Sequence, residues 1–245
     1  MEEAPIITAE MLDERVEFER GMAMAPPLSL TLIALCLLAF YFQISRGVLS
    51  SHELLIEAGA KDVARIFSGD LWRLLSYAFL HGNLEHLLGN MTALYIIGIA
   101  CEHAFGSLRT FYVYVWSAIV GAITSCLNAT LAVGASGAIF GLLGLLATVL
   151  IRRRAAFIVR ERRLGVVLAI WASYAIIDGS VRIGVDGWAH AGGLAVGICA
   201  GFFMEPKQLI TGERPLNTAL LVATLATLIY AMVYFVPALI SLKSA

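Results

Sequence analysis

Charge is what this sequence has least of. Only 14% of its 245 residues are charged, while 60% are hydrophobic. Soluble domains carry about 25% charged residues. The shortage excludes a soluble globular protein and makes hydropathy the first guide. No basic domain is present either, with 17 basic residues against 18 acidic, so nucleic acid is not an expected partner. Cysteine is scarce. Cys36, Cys101, Cys126 and Cys199 lie in apolar runs and none is spaced as CxxC, which argues against a disulfide framework and against a thiolate metal site. The first residues lack the basic or apolar character of a leader. Glu2, Glu3, Glu10, Asp13, Glu14, Glu17 and Glu19 make them acidic, against a secretory signal and against a mitochondrial transit peptide. They read as a short polar cytoplasmic extension, 1–27, ending at Pro26-Pro27.

What is there is a series of apolar runs. A helical span needs about 20 mostly apolar residues. Leu28 to Ser45 is one. A second runs from about Asn83 to Cys101. Thr110 to Ile151 holds no charge and is too long for one helix; the polar break from Asn128 to Gly134 divides it into a third span and a fourth, Ser136 to Ile151. A short fifth runs from Leu164 to Ile177, a sixth from Trp188 to Met204, and a seventh from Pro215 to Leu242. Between the first two lies a mixed stretch, Arg46 to Leu80, predicted to be an interfacial loop with amphipathic pieces. Trp72 and Tyr77 are expected to anchor it at headgroup level. The fold class is all-α, a polytopic membrane helical bundle.

Orientation follows from Lys and Arg in short loops. Arg152, Arg153, Arg154, Arg160, Arg162 and Arg163 put the loop after span four in the cytoplasm. Spans two, four and six then all run inward, and their N-terminal ends meet at one depth near the outer surface. Those ends hold the polar residues: His81, His86 and Asn90 on span two, Ser136 on span four, His190 on span six. His86 and Asn90, four apart, share a helix face. Gly137-xxx-Gly141 on span four and Ala189, Gly193, Gly197 and Gly201 on span six let two backbones approach closely. That approach would bring the Ser136 hydroxyl to His190, the geometry of a serine nucleophile and its base. The helix N-termini offer free N–H groups to a developing oxyanion. No aspartate is placed to orient His190, since Asp186 falls in a loop. A dyad is expected, with an aromatic such as Tyr174 holding the imidazole.

Blander readings exist for each residue. Ser136 alone could be a small contact residue back-bonded to its helix. The glycine stripe is packing, not chemistry. Glu85 beside His86 does not make HExxH, since the ligands would face different ways; it reads as exposed on the rim, and no metal is expected. The convergence of separate polar ends is what favours a site.

Gly134-x-Ser136-Gly137, Ala189-His190-x-Gly192-Gly193 and His81-x4-His86-x3-Asn90 resemble, in that order, the signatures of rhomboid intramembrane serine proteases. Trp72-Arg73 and the set Glu102, Gly106 and Arg109 match that family too. The resemblance implies a six-helix catalytic core, 28–205, with residues 206–245 forming a linker and one extra C-terminal transmembrane helix. It implies Ser136 as nucleophile and His190 as base. The oxyanion hole would comprise the Ser136 N–H, His86 and Asn90. His81 would hold the first loop by hydrogen bonding, and residues 183–187 would be a mobile cap. Gly134, Gly137 and Gly193 support the site. Glu102 with Arg109 would form a structural network at the cytoplasmic end. The implied substrates are transmembrane helices, cleaved near their outer ends in the lipid bilayer. Such a site in a plasma or bacterial inner membrane would face outward. No cofactor is implied, because an acyl-enzyme needs only serine, base and oxyanion donors. Two alternatives differ in class. A catalytically silent relative would bind membrane clients in the same groove. A transporter would use His81, His86, His190 and Glu85, but transporters often carry internal repeats, and none is visible.

Overall fold

A computed structural model describes residues 16–127, 131–158, 186–209 and 218–242. In chain order they form strand β1 (Val16–Glu17) and helix α1 (Pro27–Ser45), then three short helices, α2 (His52–Glu57), α3 (Val63–Phe67) and α4 (Arg73–Ser76). The long helices α5 (Leu84–Phe105), α6 (Ser107–Ser125) and α7 (Ser136–Arg152) follow, then strand β2 (Phe157–Ile158) and helices α8 (Gly187–Phe203) and α9 (Thr218–Ser241). Apart from the two-residue parallel pairing of β1 with β2, the named elements among the described residues are helical. The expected fifth span and Tyr174 lie outside the described residues, as does the proposed cap up to residue 185. The other six spans appear as α1, α5, α6, α7, α8 and α9.

Local chemistry sets the helix boundaries. Pro27 opens α1 where its missing N–H costs nothing. The Asn83 side chain accepts the His86 N–H at 2.8 Å and starts α5. Gly106, at φ 80°, ends α5 and opens α6 without a linker. Asp186 caps α8 by accepting the Ala189 N–H at 3.1 Å. The start of α1 is fastened by a carboxylate from another helix. Glu102, near the end of α5, accepts the N–H groups of Leu28 and Ser29 at 3.1 and 2.8 Å, and the hydroxyls of Ser29 and Ser107 at 2.6 Å each. The expected partner Arg109 takes no part among the described residues; the orphan donors at a helix N-terminus outcompete it for the buried carboxylate.

By length and composition α1, α5, α8 with its continuation to Leu209, and α9 can each cross a membrane, and α7 is a shorter apolar helix. The outer faces of α1, α8 and α9 present Leu38, Ile44, Phe202, Phe203, Val222, Ile229 and Val233 to the surroundings. In water these faces would aggregate; in lipid they are solvated. The protein is a multi-pass membrane protein.

At the centre α6, α7 and α8 pack backbone to backbone. A methyl group added to Gly193 would fall on the Gly137 carbonyl oxygen, and one added to Gly197 on that of Gly141. One on Gly144 would come to 2.7 Å from the Leu194 carbonyl oxygen. The small-residue stripes act as close-contact seams, as the spacing predicts.

Two expectations are overturned. Trp72 and Tyr77 do not anchor at headgroups: both are buried, 6% and 2% exposed. The Tyr77 hydroxyl donates to the Ala118 carbonyl of α6 at 2.9 Å. The Trp72 ring lies against Gly59, with the Arg73 guanidinium 4.5 Å from its centroid. A buried partner for the Tyr77 hydroxyl removes the reason to seek water. Within the expected polar extension, residues 16–18 pack on the bundle rather than extending from it. Phe18 is buried, with its ring edge-to-face against Phe157 and His103. The His103 ring donates to the Phe18 carbonyl at 2.8 Å.

Candidate active site

Ser136 is the first residue of α7, and His190 lies in the first turn of α8. The seam between those helices brings the Ser136 Oγ to 2.8 Å from the His190 Nε2. With the ring proton on Nδ1, the hydroxyl donates and Nε2 accepts. The Phe140 ring, one helical turn beyond Ser136, stacks on the imidazole at 4.4 Å and 21°. This contact fixes the ring plane, and sequence reasoning missed it. The signal was present in the four-residue step from Ser136 to Phe140, which puts both on one face. Asp186 does not bond to the imidazole; it acts one turn earlier, as the cap of α8.

The chain enters α7 through Gly134, whose φ of 121° is a region that L side chains rarely adopt. Its N–H donates to the Tyr77 carbonyl at 2.9 Å. A methyl group there would lie 2.7 Å from both Cε1 and Nε2 of His86, and 3.6 Å from the Asn90 amide nitrogen. The His86 ring and the Asn90 amide therefore stand directly against the strand of chain that leads to Ser136. The Asn90 amide donates to the His86 carbonyl at 3.0 Å, one turn back on α5. The N-terminus of α7 has no side-chain cap, so its first N–H groups remain available to an acceptor. Gly137 and Gly193 meet in the seam just below.

His81 makes its hydrogen bonds through the main chain, not the ring. Its two ring nitrogens make no hydrogen bond among the described residues, although the residue is fully buried. Its ring packs edge-to-face on His86 at 5.2 Å. Its main chain does the holding instead: the N–H donates to Gln43 Oε1 and the carbonyl accepts from Gln43 Nε2, both at 3.0 Å. Gln43, buried on α1, was not singled out by the sequence. Burial, then the neighbouring His86, pushes the His81 imidazole down to about 3. Glu85 is exposed on the rim.

The arrangement is a hydroxyl paired with a ring nitrogen, next to amide and imidazole donors and an uncapped helix end. It suits attack on a carbonyl carbon with the oxyanion held by nearby donors.

Comparison with known proteins agrees with the reading of the motifs. Residues 68–207 match the Rhomboid domain. The chain is 33% identical to rhomboid protease GluP of Bacillus subtilis over 219 residues, 89% of this chain and 42% of that protein. It is 38% identical to RHOMBOID-like protein 4 of Arabidopsis thaliana over 173 residues, 67% of this chain and 43% of that protein. With rhomboid protease AarA of Providencia stuartii the identity is 30% over 234 residues, 84% of this chain and 82% of that protein. The chain thus spans less than half the length of the first two relatives and most of the third. On the domain match and these relatives together, the chain belongs to the rhomboid family.

Proposed function

We propose that the protein is an intramembrane serine endopeptidase, with Ser136 as nucleophile and His190 as general base. The observation that carries this reading is the 2.8 Å Ser136–His190 contact across a glycine-lined seam. In the first step the Ser136 Oγ attacks the scissile carbonyl carbon while its proton passes to His190 Nε2. The carbonyl oxygen becomes an oxyanion, held by the Ser136 N–H, His86 and Asn90. The intermediate collapses, the C–N bond breaks, and the imidazolium protonates the leaving amine. Water then attacks the acyl-enzyme ester, His190 takes its proton, and Ser136 is released with that proton returned.

The substrates are transmembrane segments of other proteins, entered from the bilayer and cut near their outer ends. A helical peptide bond is shielded by its own hydrogen bonds, so segments weakened by Gly unwind into the site more readily. The core is residues 28–205, and the C-terminal segment 206–245 is an addition to it. The membrane is a plasma or bacterial inner membrane.

The test is cleavage of a type I transmembrane reporter by the purified full chain in detergent. Wild type cleaves; Ser136→Ala and His190→Ala do not, while both keep the wild-type melting temperature within a few degrees. Labelling of Ser136 by a fluorophosphonate accompanies activity. Equal cleavage by wild type and Ser136→Ala would sink the assignment. Absence of both cleavage and labelling in wild type would support the silent, client-binding alternative.

A further inference from the structure

Lys61 is the only fully buried lysine among the described residues, at 0% exposure. It stands just before α3, in the loop between α1 and α5. Its main chain pairs with Ala132 as an isolated antiparallel bridge: the Lys61 N–H donates to the Ala132 carbonyl at 3.0 Å, and the Ala132 N–H to the Lys61 carbonyl at 3.2 Å. Ala132 lies four residues before Ser136. The Lys61 Nζ donates to the carbonyl of Ser125, the last residue of α6, at 3.1 Å, and stands 3.9 Å from Asp186 Oδ2. Asp186 in turn takes the Ser125 hydroxyl, caps Ala189 and, through its main-chain oxygen, accepts the His190 N–H at 3.2 Å. Burial draws the Lys61 ammonium below its ordinary range, while Asp186 pulls the other way.

We propose that Lys61 is a positioning residue for the Ser136–His190 pair, fixing the entry to α7 through Ala132 and the start of α8 through Asp186. The proposal rests on the endopeptidase reading for its catalytic consequence only. The two members of the dyad sit on different helices, so their separation depends on how the two helix starts are held relative to one another. Lys61 is joined to both. A buried ion pair is seldom the cheapest route to stability, since apolar residues of similar volume often serve as well or better. What an apolar residue cannot supply is a directional link from a loop to a helix cap and a carbonyl together. Displacement of reacting atoms by about 1 Å is enough to cost on the order of a hundredfold in rate.

The test uses the full chain in detergent, with Lys61→Met, Lys61→Arg, Asp186→Asn and the Lys61→Met/Asp186→Asn double variant. Amide hydrogen exchange is followed in the first turn of α8, and kcat and KM are measured on the transmembrane reporter. Lys61→Met and Asp186→Asn should each speed exchange at Ala189 and His190. Each should lower kcat about ten- to a hundredfold, with KM moving less than about twofold. Lys61→Arg should recover part of the loss, and the double variant should be no worse than the worse single one, as for residues acting as a unit. Unchanged exchange in both single variants, or a defect in KM alone, overturns the proposal. Should Lys61→Met fail to fold, the isosteric Asp186→Asn decides by the same readouts. A wild type that cleaves nothing would refute the endopeptidase reading, while the exchange result would still accept or reject the link from Lys61 to α8.

Discussion

At the scale of single residues the site depends on a few positions with no freedom to change. Gly134 is one. An alanine there would have to adopt a φ of 121° and place its Cβ on the His86 imidazole. Strain of this kind costs about 1–3 kcal/mol, and the chain can escape it only by moving the approach to Ser136. Gly134→Ala should therefore lose about a hundredfold in cleavage rate while the protein still purifies as a folded species; near-normal cleavage would show that the entry to α7 tolerates displacement. His81 is another. Folded, it holds its proton only below about pH 3, whereas an unfolded histidine does so below about pH 6.5. As pH falls from 6.5 toward 3 the unfolded chain binds a proton that the folded chain refuses, so stability falls with pH across that window. At pH 4.5 the loss reaches about 3 kcal/mol. His81→Gln removes this term, so its melting temperature should drop by about 5–10 °C less than that of wild type between pH 7.5 and pH 4.5. Parallel drops would mean that His81 charges freely in the fold. Ser136, His190, His86 and Asn90 were legible in the sequence because polar groups at the ends of apolar runs stand out. Lys61 and Gln43 were not. Each lies in a segment where a polar residue is unremarkable, and only the fold shows its distant partners, Asp186 for Lys61 and His81 for Gln43.

At the scale of helices, the starts of α5, α7 and α8 were readable because Asn83, the Gly134-Ala135-Ser136 step and Asp186 each stand at the head of an apolar run. The three short helices between α1 and α5 were not, since four to six residues carry too little periodicity to reveal a face. The end of α5 shows how one side chain can serve two elements. Glu102 satisfies four donors from α1 and α6 while 8% exposed. Its removal leaves buried N–H groups and hydroxyls unpaired. Glu102→Ala should cost about 3 kcal/mol, a fall of roughly 6–12 °C in melting temperature. Glu102→Gln, which keeps one acceptor oxygen, should cost less. A neutral Glu102→Ala would mean that water replaces the carboxylate without loss. The parallel pair α7 and α8 is pinned at both ends. Ser136 meets His190 at one, and at the other Glu205 accepts from Arg152 at 3.0 Å and from Arg153. Between them, Gly193 meets the Gly137 carbonyl and Gly197 the Gly141 carbonyl with no side chain as a spacer.

For the whole molecule, those two pins give the bundle a direction. The dyad, the Lys61–Asp186 link and the loop between α1 and α5 share one end. Arg152, Arg153, Arg154, Glu205 and the Phe18 contact with Phe157 share the other. On the proposed function, the positive-inside rule assigns the arginine end to the cytoplasm and the dyad to the outer surface, where hydrolytic water is plentiful and a substrate helix would emerge from lipid. Glu53 and Arg154 are both exposed and mark the two ends. In a background with Cys36, Cys101, Cys126 and Cys199 replaced, Glu53→Cys in intact cells should react with a membrane-impermeant maleimide. Arg154→Cys should react only after permeabilisation. The reverse pattern would put the dyad on the cytoplasmic side, and substrates would then be cut at their inner ends. Labelling of both in intact cells would mean a mixed orientation. Six arginines between residues 152 and 163 argue against that, because each would have to be carried across the bilayer in half of the molecules.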